Sequence, residues 1–153
     1  MKKFLCIFLL SAVIFIYGCS DQNHDCNEFL REIISHEIGI TVRTGEVSFT
    51  LKDGTAVFDS PAAIEGLTVT DGKAIYKDIE TALPGNAFFV SDVLRKAIRE
   101  FEDSGKGFTA ENEGAAYFGY EYDIFVDDPI DVKKLTVSHN GTDTVYDIIS
   151  IKK

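Results

Sequence analysis

Four short turn signals constrain this chain more than anything else in it: Thr44-Gly45, Asp53-Gly54, Asp71-Gly72 and Asn140-Gly141. Asp-Gly and Asn-Gly tolerate the positive φ of a two-residue hairpin loop, and such loops join antiparallel neighbours. The flanking residues alternate accordingly. Val47, Phe49 and Leu51 interleave with Glu46, Ser48, Thr50 and Lys52, a period of two that puts one face in a core and one in water. Strands are expected at 41–43, 47–51 and 55–59. After Ser60-Pro61 they resume at 66–70 and 73–79, and Leu83-Pro84-Gly85 ends the run. The pattern predicts an antiparallel meander.

A helix is expected next, capped by Ser91 and ended by Gly105. Val90, Val93, Leu94, Ala97, Ile98 and Phe101 recur at three- and four-residue intervals, forming one apolar stripe. The polar face carries Asp92, Arg95, Lys96, Arg99, Glu100 and Asp103, with Asp92–Lys96 and Arg99–Asp103 as expected i,i+4 pairs. Beyond a short strand at 108–110, residues 115–126 read as one long strand rich in aromatics. Its Tyr117, Tyr120, Tyr122 and Phe125, with Phe101 from the helix, are candidates to line an apolar groove; more often such residues fill the core between sheet and helix. Alternation would put Tyr120 and Tyr122 on one face and Phe125 on the other. A final hairpin is expected from 132–137 and 144–151 around Asn140-Gly141. Residues 28–38 carry two readings: a helix capped by Asn27, with Phe29, Leu30, Ile33, Ile34 and Ile38 on one face, or an extension of strand pairing through Ile38, Ile40 and Val42.

The first eighteen residues have a different character. Lys2 and Lys3 precede an almost unbroken apolar run from Phe4 to Ile16, the layout of a secretory signal. The run is too short to span a bilayer, which needs about 20 residues. Ile16-Tyr17-Gly18-Cys19 resembles the bacterial lipoprotein box. That resemblance implies recognition through Ile16 and Gly18, cleavage before Cys19, and a diacylglyceryl group on the Cys19 thiol. The expected organisation is a signal peptide at 1–18, a polar tether at 19–27 and a single domain at 28–153, extracytoplasmic and anchored to a membrane. Losing Lys2 and Lys3 from the fifteen basic residues leaves 13 against 25 acidic ones, a formal charge of −12. Such a field opposes nucleic acid and anionic headgroups, so no nucleic-acid partner is expected and attachment to the membrane falls to lipid. With Cys6 removed and Cys19 acylated, Cys26 stands alone and reads as an incidental thiol in the tether.

Little in the chain points to chemistry. His24, His36 and His139 lie far apart in sequence, with no ligand spacing of a metal site. Asp127, Asp128 and Asp131 lack the pattern of a calcium loop. Neither a Gly-x-Ser-x-Gly elbow nor a phosphate-binding glycine loop occurs. No catalytic residue, metal or cofactor is expected.

The run Thr55-Ala56-Val57-Phe58-Asp59-Ser60-Pro61, then Ile64, Gly66-Leu67-Thr68-Val69, Gly72 and the Tyr76 strand, followed by a leucine-proline loop and the helix at Ser91, resembles part of the LolA/LolB lipoprotein-carrier fold, which some spore-germination lipoproteins share. The resemblance covers 46–103 best. It implies an α+β class: a curved antiparallel half-barrel with one long amphipathic helix and, on one reading, a shorter N-terminal helix packed on it. It further implies a non-enzymatic lipoprotein that binds an acyl chain or an envelope protein. The alternatives are a purely structural adaptor without a ligand pocket, and a hydrolase of envelope components, which would need three or more polar groups converging in a pocket.

Overall fold

The computed structural model describes residues 22–35, 37–84 and 89–152. The expected signal peptide, with Ile16, Gly18 and Cys19, lies outside them. Among the described residues two helices, α1 (Gln22–Ile34) and α2 (Val90–Ser104), accompany eleven strands: β1 (Gly39–Thr44), β2 (Val47–Lys52), β3 (Thr55–Ser60), β4 (Thr68–Thr70), β5 (Lys73–Tyr76), β6 (Ile79–Ala82), β7 (Thr109–Glu111), β8 (Gly114–Phe118), β9 (Tyr122–Val126), β10 (Lys134–His139) and β11 (Thr142–Lys152). The class is α+β. All strands join in one open antiparallel sheet ordered β6-β5-β4-β3-β2-β1-β11-β10-β9-β8-β7. Sequence neighbours pair throughout except where β1 meets β11. The chain between β6 and β7, which contains α2, therefore runs from one open edge of the sheet to the other.

Turn chemistry explains the hairpins. Asp53 and Gly54 both take positive φ (52° and 68°), as do Asn140 and Gly141 (51° and 74°), the mirror-image turn whose twist matches that of the strands. Two expectations fail at turns that lack an Asp-Gly or Asn-Gly pair. The single strand over 73–79 is two strands, β5 and β6, bent at Lys77-Asp78 with φ of 49° and 65°. The long strand over 115–126 is likewise a hairpin, β8 and β9, pairing Tyr117 with Ile124 and Phe118 with Asp123.

Alternation holds for the core. Ile40 and Val42 of β1, Phe49 and Leu51 of β2, Ala56 and Phe58 of β3, Leu135 and Val137 of β10 and Tyr146 of β11 are buried against the stripe of α2, where Val93, Leu94, Ala97, Ile98 and Phe101 are buried too. Burying each large apolar side chain contributes about 1.5–3 kcal/mol, so this layer between helix and sheet carries most of the stability. Phe49 packs edge-on to Tyr146 at 6.3 Å between ring centroids, and Phe101 edge-on to Tyr117 at 5.0 Å. Burial pushes the Tyr146 phenol well above its ordinary range; it stays protonated and donates to the Val90 carbonyl at 2.7 Å.

The first helix begins at Gln22, inside the segment expected to be tether, and ends before Ile38. Cys26, Leu30 and Ile33, spaced four and three residues apart, form its buried face. Cys26 is thus a core residue, fully buried, with Sγ 3.4 Å from the Pro129 carbonyl oxygen. The competing strand reading of Ile38, Ile40 and Val42 holds from Gly39 onward.

At the second helix Phe89, not Ser91, is the cap residue, and Ser91 lies within the first turn. The Asp92 carboxylate reaches back to the Phe89 N–H at 3.4 Å. Ser91 is buried and its Oγ meets no hydrogen-bond partner among the described residues. Ser91→Ala is accordingly expected to be neutral or to stabilise by up to ~1 kcal/mol, since an unsatisfied buried hydroxyl costs free energy. A urea unfolding curve checks this; a loss of ~1 kcal/mol or more, the usual cost of deleting a helix cap, would contradict it.

Candidate functional site

Instead of the expected i,i+4 pairs, the polar side chains of α2 reach across to the sheet. Arg95, placed on the polar face by sequence, is buried. Its guanidinium donates to the Gly54 carbonyl oxygen at 2.7 Å, to Asp71 at 3.4 Å and, at very close range, to Asp92. Arg99 Nη2 donates to both oxygens of Asp71, at 3.1 and 3.0 Å, in an ion pair largely open to solvent. The two arginines fix α2 to the β2–β3 and β4–β5 turns. Longer-range partners displaced the local pairs because the helix lies over these turns.

One residue on, Glu100 fixes the other half. Its carboxylate accepts backbone N–H bonds from Tyr120 and Glu121 of the β8–β9 bend and from Tyr122, the first residue of β9: Tyr120 at very close range, Glu121 at 3.0 Å and Tyr122 at 3.0 Å. Converging N–H groups of this kind form an anion-binding nest, here filled by the chain's own side chain. Gly119 is required at this bend, because a Cβ there would lie 2.3 Å from the Tyr122 carbonyl oxygen and 3.0 Å from Glu100 Oε2. Beneath the bend Tyr122 stacks on His139 with centroids 4.7 Å apart. Burial, then the neighbouring Glu121, Glu100 and Asp92 carboxylates, push the Tyr122 phenol upward, so it is neutral at physiological pH.

Held on this fixed bend is Tyr120, 85% exposed, its ring facing solvent with Lys106 Nζ 5.1 Å from the ring centroid. The bend separates two depressions. One, of about 530 Å³, lies between α2 and the bend and is lined in part by Lys96, Asp103, Ser104 and Tyr120. The other, of about 430 Å³, lies on the β10–β11 side and is lined in part by Tyr120, Asp123, His139 and Asn140. Tyr120 thus stands exposed between two open depressions, and tyrosine is enriched among residues that dominate protein interfaces and loses little conformational entropy on binding.

The other sequence candidates lie elsewhere. Tyr117, Tyr122 and Phe101 are buried in the core, the alternative the sequence left open for them; Phe125 lies on the opposite face from Tyr122, against Phe118 at 5.8 Å. Only Tyr120 of the five is presented to solvent as a binding group would be. The hollow between α1, α2 and the β2–β3 hairpin, lined by Ile33, Ile34, Leu51 and Ile98 among others, measures about 160 Å³. Among the described residues no three or more His, Cys, Asp or Glu side chains gather as metal ligands, and no helix is long and apolar enough to cross a membrane. No protein-family model, no curated protein and no solved structure matches the chain.

Proposed function

We propose that the chain is a lipid-anchored, non-enzymatic, extracytoplasmic scaffold, tethered through Cys19, whose sheet-and-helix domain docks an envelope protein on the Tyr120 bend. The observation that carries this reading is the bend itself: an exposed aromatic on a backbone locked by three N–H bonds to Glu100. Preorganisation of this kind lowers the entropy lost on binding. An acyl-chain carrier is the second reading. Against it stands the small hollow, about 160 Å³, which suits a benzene-sized guest and falls below the several hundred Å³ of ordinary ligand pockets.

The half-barrel form of the LolA/LolB resemblance belongs to the same reading. The β4–β5 turn and the β8–β9 bend are seven strand spacings apart in the sheet, roughly 34 Å if it were flat. Yet Arg99 and Glu100, consecutive residues with Cα atoms about 3.8 Å apart, bind one each. Strong curvature around α2 accounts for that closeness.

A chain beginning at Ser20, titrated with a fluorescent fatty acid, is expected to show no saturable binding, and Cys19→Ala in the full precursor is expected to abolish acylation and maturation. Saturable binding at one site per chain would favour the carrier. Normal maturation of Cys19→Ala would remove the anchor.

A further inference from the structure

The helix α1 starts so early that almost no chain is left to hold the domain away from a bilayer. Cys19 stands three residues before Gln22, a reach of at most about 11 Å even fully extended. On the proposed anchoring at Cys19, the surface around the start of α1 lies against the headgroups. What adjoins that surface is the loop between β9 and β10, since Cys26 Sγ meets the Pro129 carbonyl at 3.4 Å. At its crest is Ile130, 68% exposed.

The loop is built to hold that side chain out. Asp128 Oδ1 accepts the Ile130 N–H at 2.8 Å and the Asp131 N–H at 3.3 Å, and Asp127 Oδ1 accepts those of Lys133 and Lys134 at 3.0 and 2.9 Å. Asp131 pairs with Lys133 at 2.8 Å. The three carboxylates are hydrogen-bonded or ion-paired within the loop while remaining exposed, and Ile130 stands out among them as the one large exposed apolar side chain. Tyr120 lies at the other end of β9, whose five residues (Tyr122–Val126) span about 14 Å.

We infer that the β9–β10 loop rests on the bilayer carrying the anchor, with Ile130 entering the headgroup region, and that the Tyr120 bend is thereby aimed away from the membrane. This rests on the proposed acylation of Cys19. It goes further in assigning one face of the domain to the lipid surface and another to the aqueous partner.

The test uses the acylated mature protein, beginning at Cys19, reconstituted in phosphatidylcholine vesicles. An environment-sensitive fluorophore is attached at Ile130→Cys or at Tyr120→Cys, with Cys26 left in place because it is buried. Nitroxide-bearing lipids are expected to quench the label at position 130 several-fold more than that at position 120. Flotation of the protein with equal quenching at both sites, or with stronger quenching at 120, overturns the orientation alone. Failure of the protein to float with vesicles overturns anchor and orientation together. Because position 130 is exposed on a loop, its label should leave the unfolding midpoint unchanged, and that curve separates a folded negative result from an unfolded one.

Discussion

Arg95→Leu is expected to cost about 3–5 kcal/mol of stability, the usual consequence of removing one partner from a buried ion pair. The guanidinium is about nine-tenths buried, and Asp92 beside it nearly as much. Leucine fills much of the space but leaves the Asp92 carboxylate without its counter-charge and the Gly54 carbonyl without its donor. For a domain of this size the loss corresponds to a fall in Tm of roughly 10–20 °C. The double substitution Asp92→Asn, Arg95→Leu should recover a substantial part, because the stranded charge is gone. A single-mutant loss of only ~1 kcal/mol, the value of an exposed pair, would contradict the burial of this cluster.

Glu100→Ala is expected to remove about 2–3 kcal/mol, since bonds to a charged acceptor are worth roughly 1.5–3 kcal/mol and these are partly open to solvent. The effect should be local as well as global. Amide exchange at Tyr120, Glu121 and Tyr122 is expected to accelerate by more than tenfold, while Phe49 and Tyr146, buried in the core, change only as the global stability does. Glu100→Gln should fall between the two, because a carboxamide offers one neutral acceptor where the carboxylate offers two charged ones. Unaltered exchange at the bend would mean that its backbone is held by other contacts and that Tyr120 is not preorganised by α2.

Both residues illustrate what a sequence can and cannot reveal. The glycine-bearing hairpins at Asp53-Gly54 and Asn140-Gly141, the alternation of Val47 to Leu51 and the apolar stripe of α2 are short-range patterns, and they were legible. Lys77-Asp78 was not, because lysine seldom takes positive φ and the bend there carries no glycine. The β8–β9 bend escaped for a different reason: its backbone is satisfied by a carboxylate about twenty residues away. Gly119, interrupting an otherwise alternating aromatic run, was the one local hint. Likewise Arg95 read as a solvated helix residue because its partners, Gly54 and Asp71, are 41 and 24 residues distant. At the N-terminus the buried Cys26 was mistaken for linker, a polar surrounding sequence masking its spacing to Leu30 and Ile33. For the site itself, a list of aromatics contained Tyr120 but gave no means of separating it from Tyr117 and Tyr122, whose burial is decided by the fold.

The most direct test of a docking role for the Tyr120 bend is photo-crosslinking in intact cells that make the protein. A photoreactive amino acid replaces Tyr120 in one strain and Thr136, on the outer face of β10, in another. The expected result is a discrete adduct with one envelope protein from position 120, absent from position 136 and lost when Glu100→Ala is added. No adduct at position 120, or the same adduct from both positions, would contradict it.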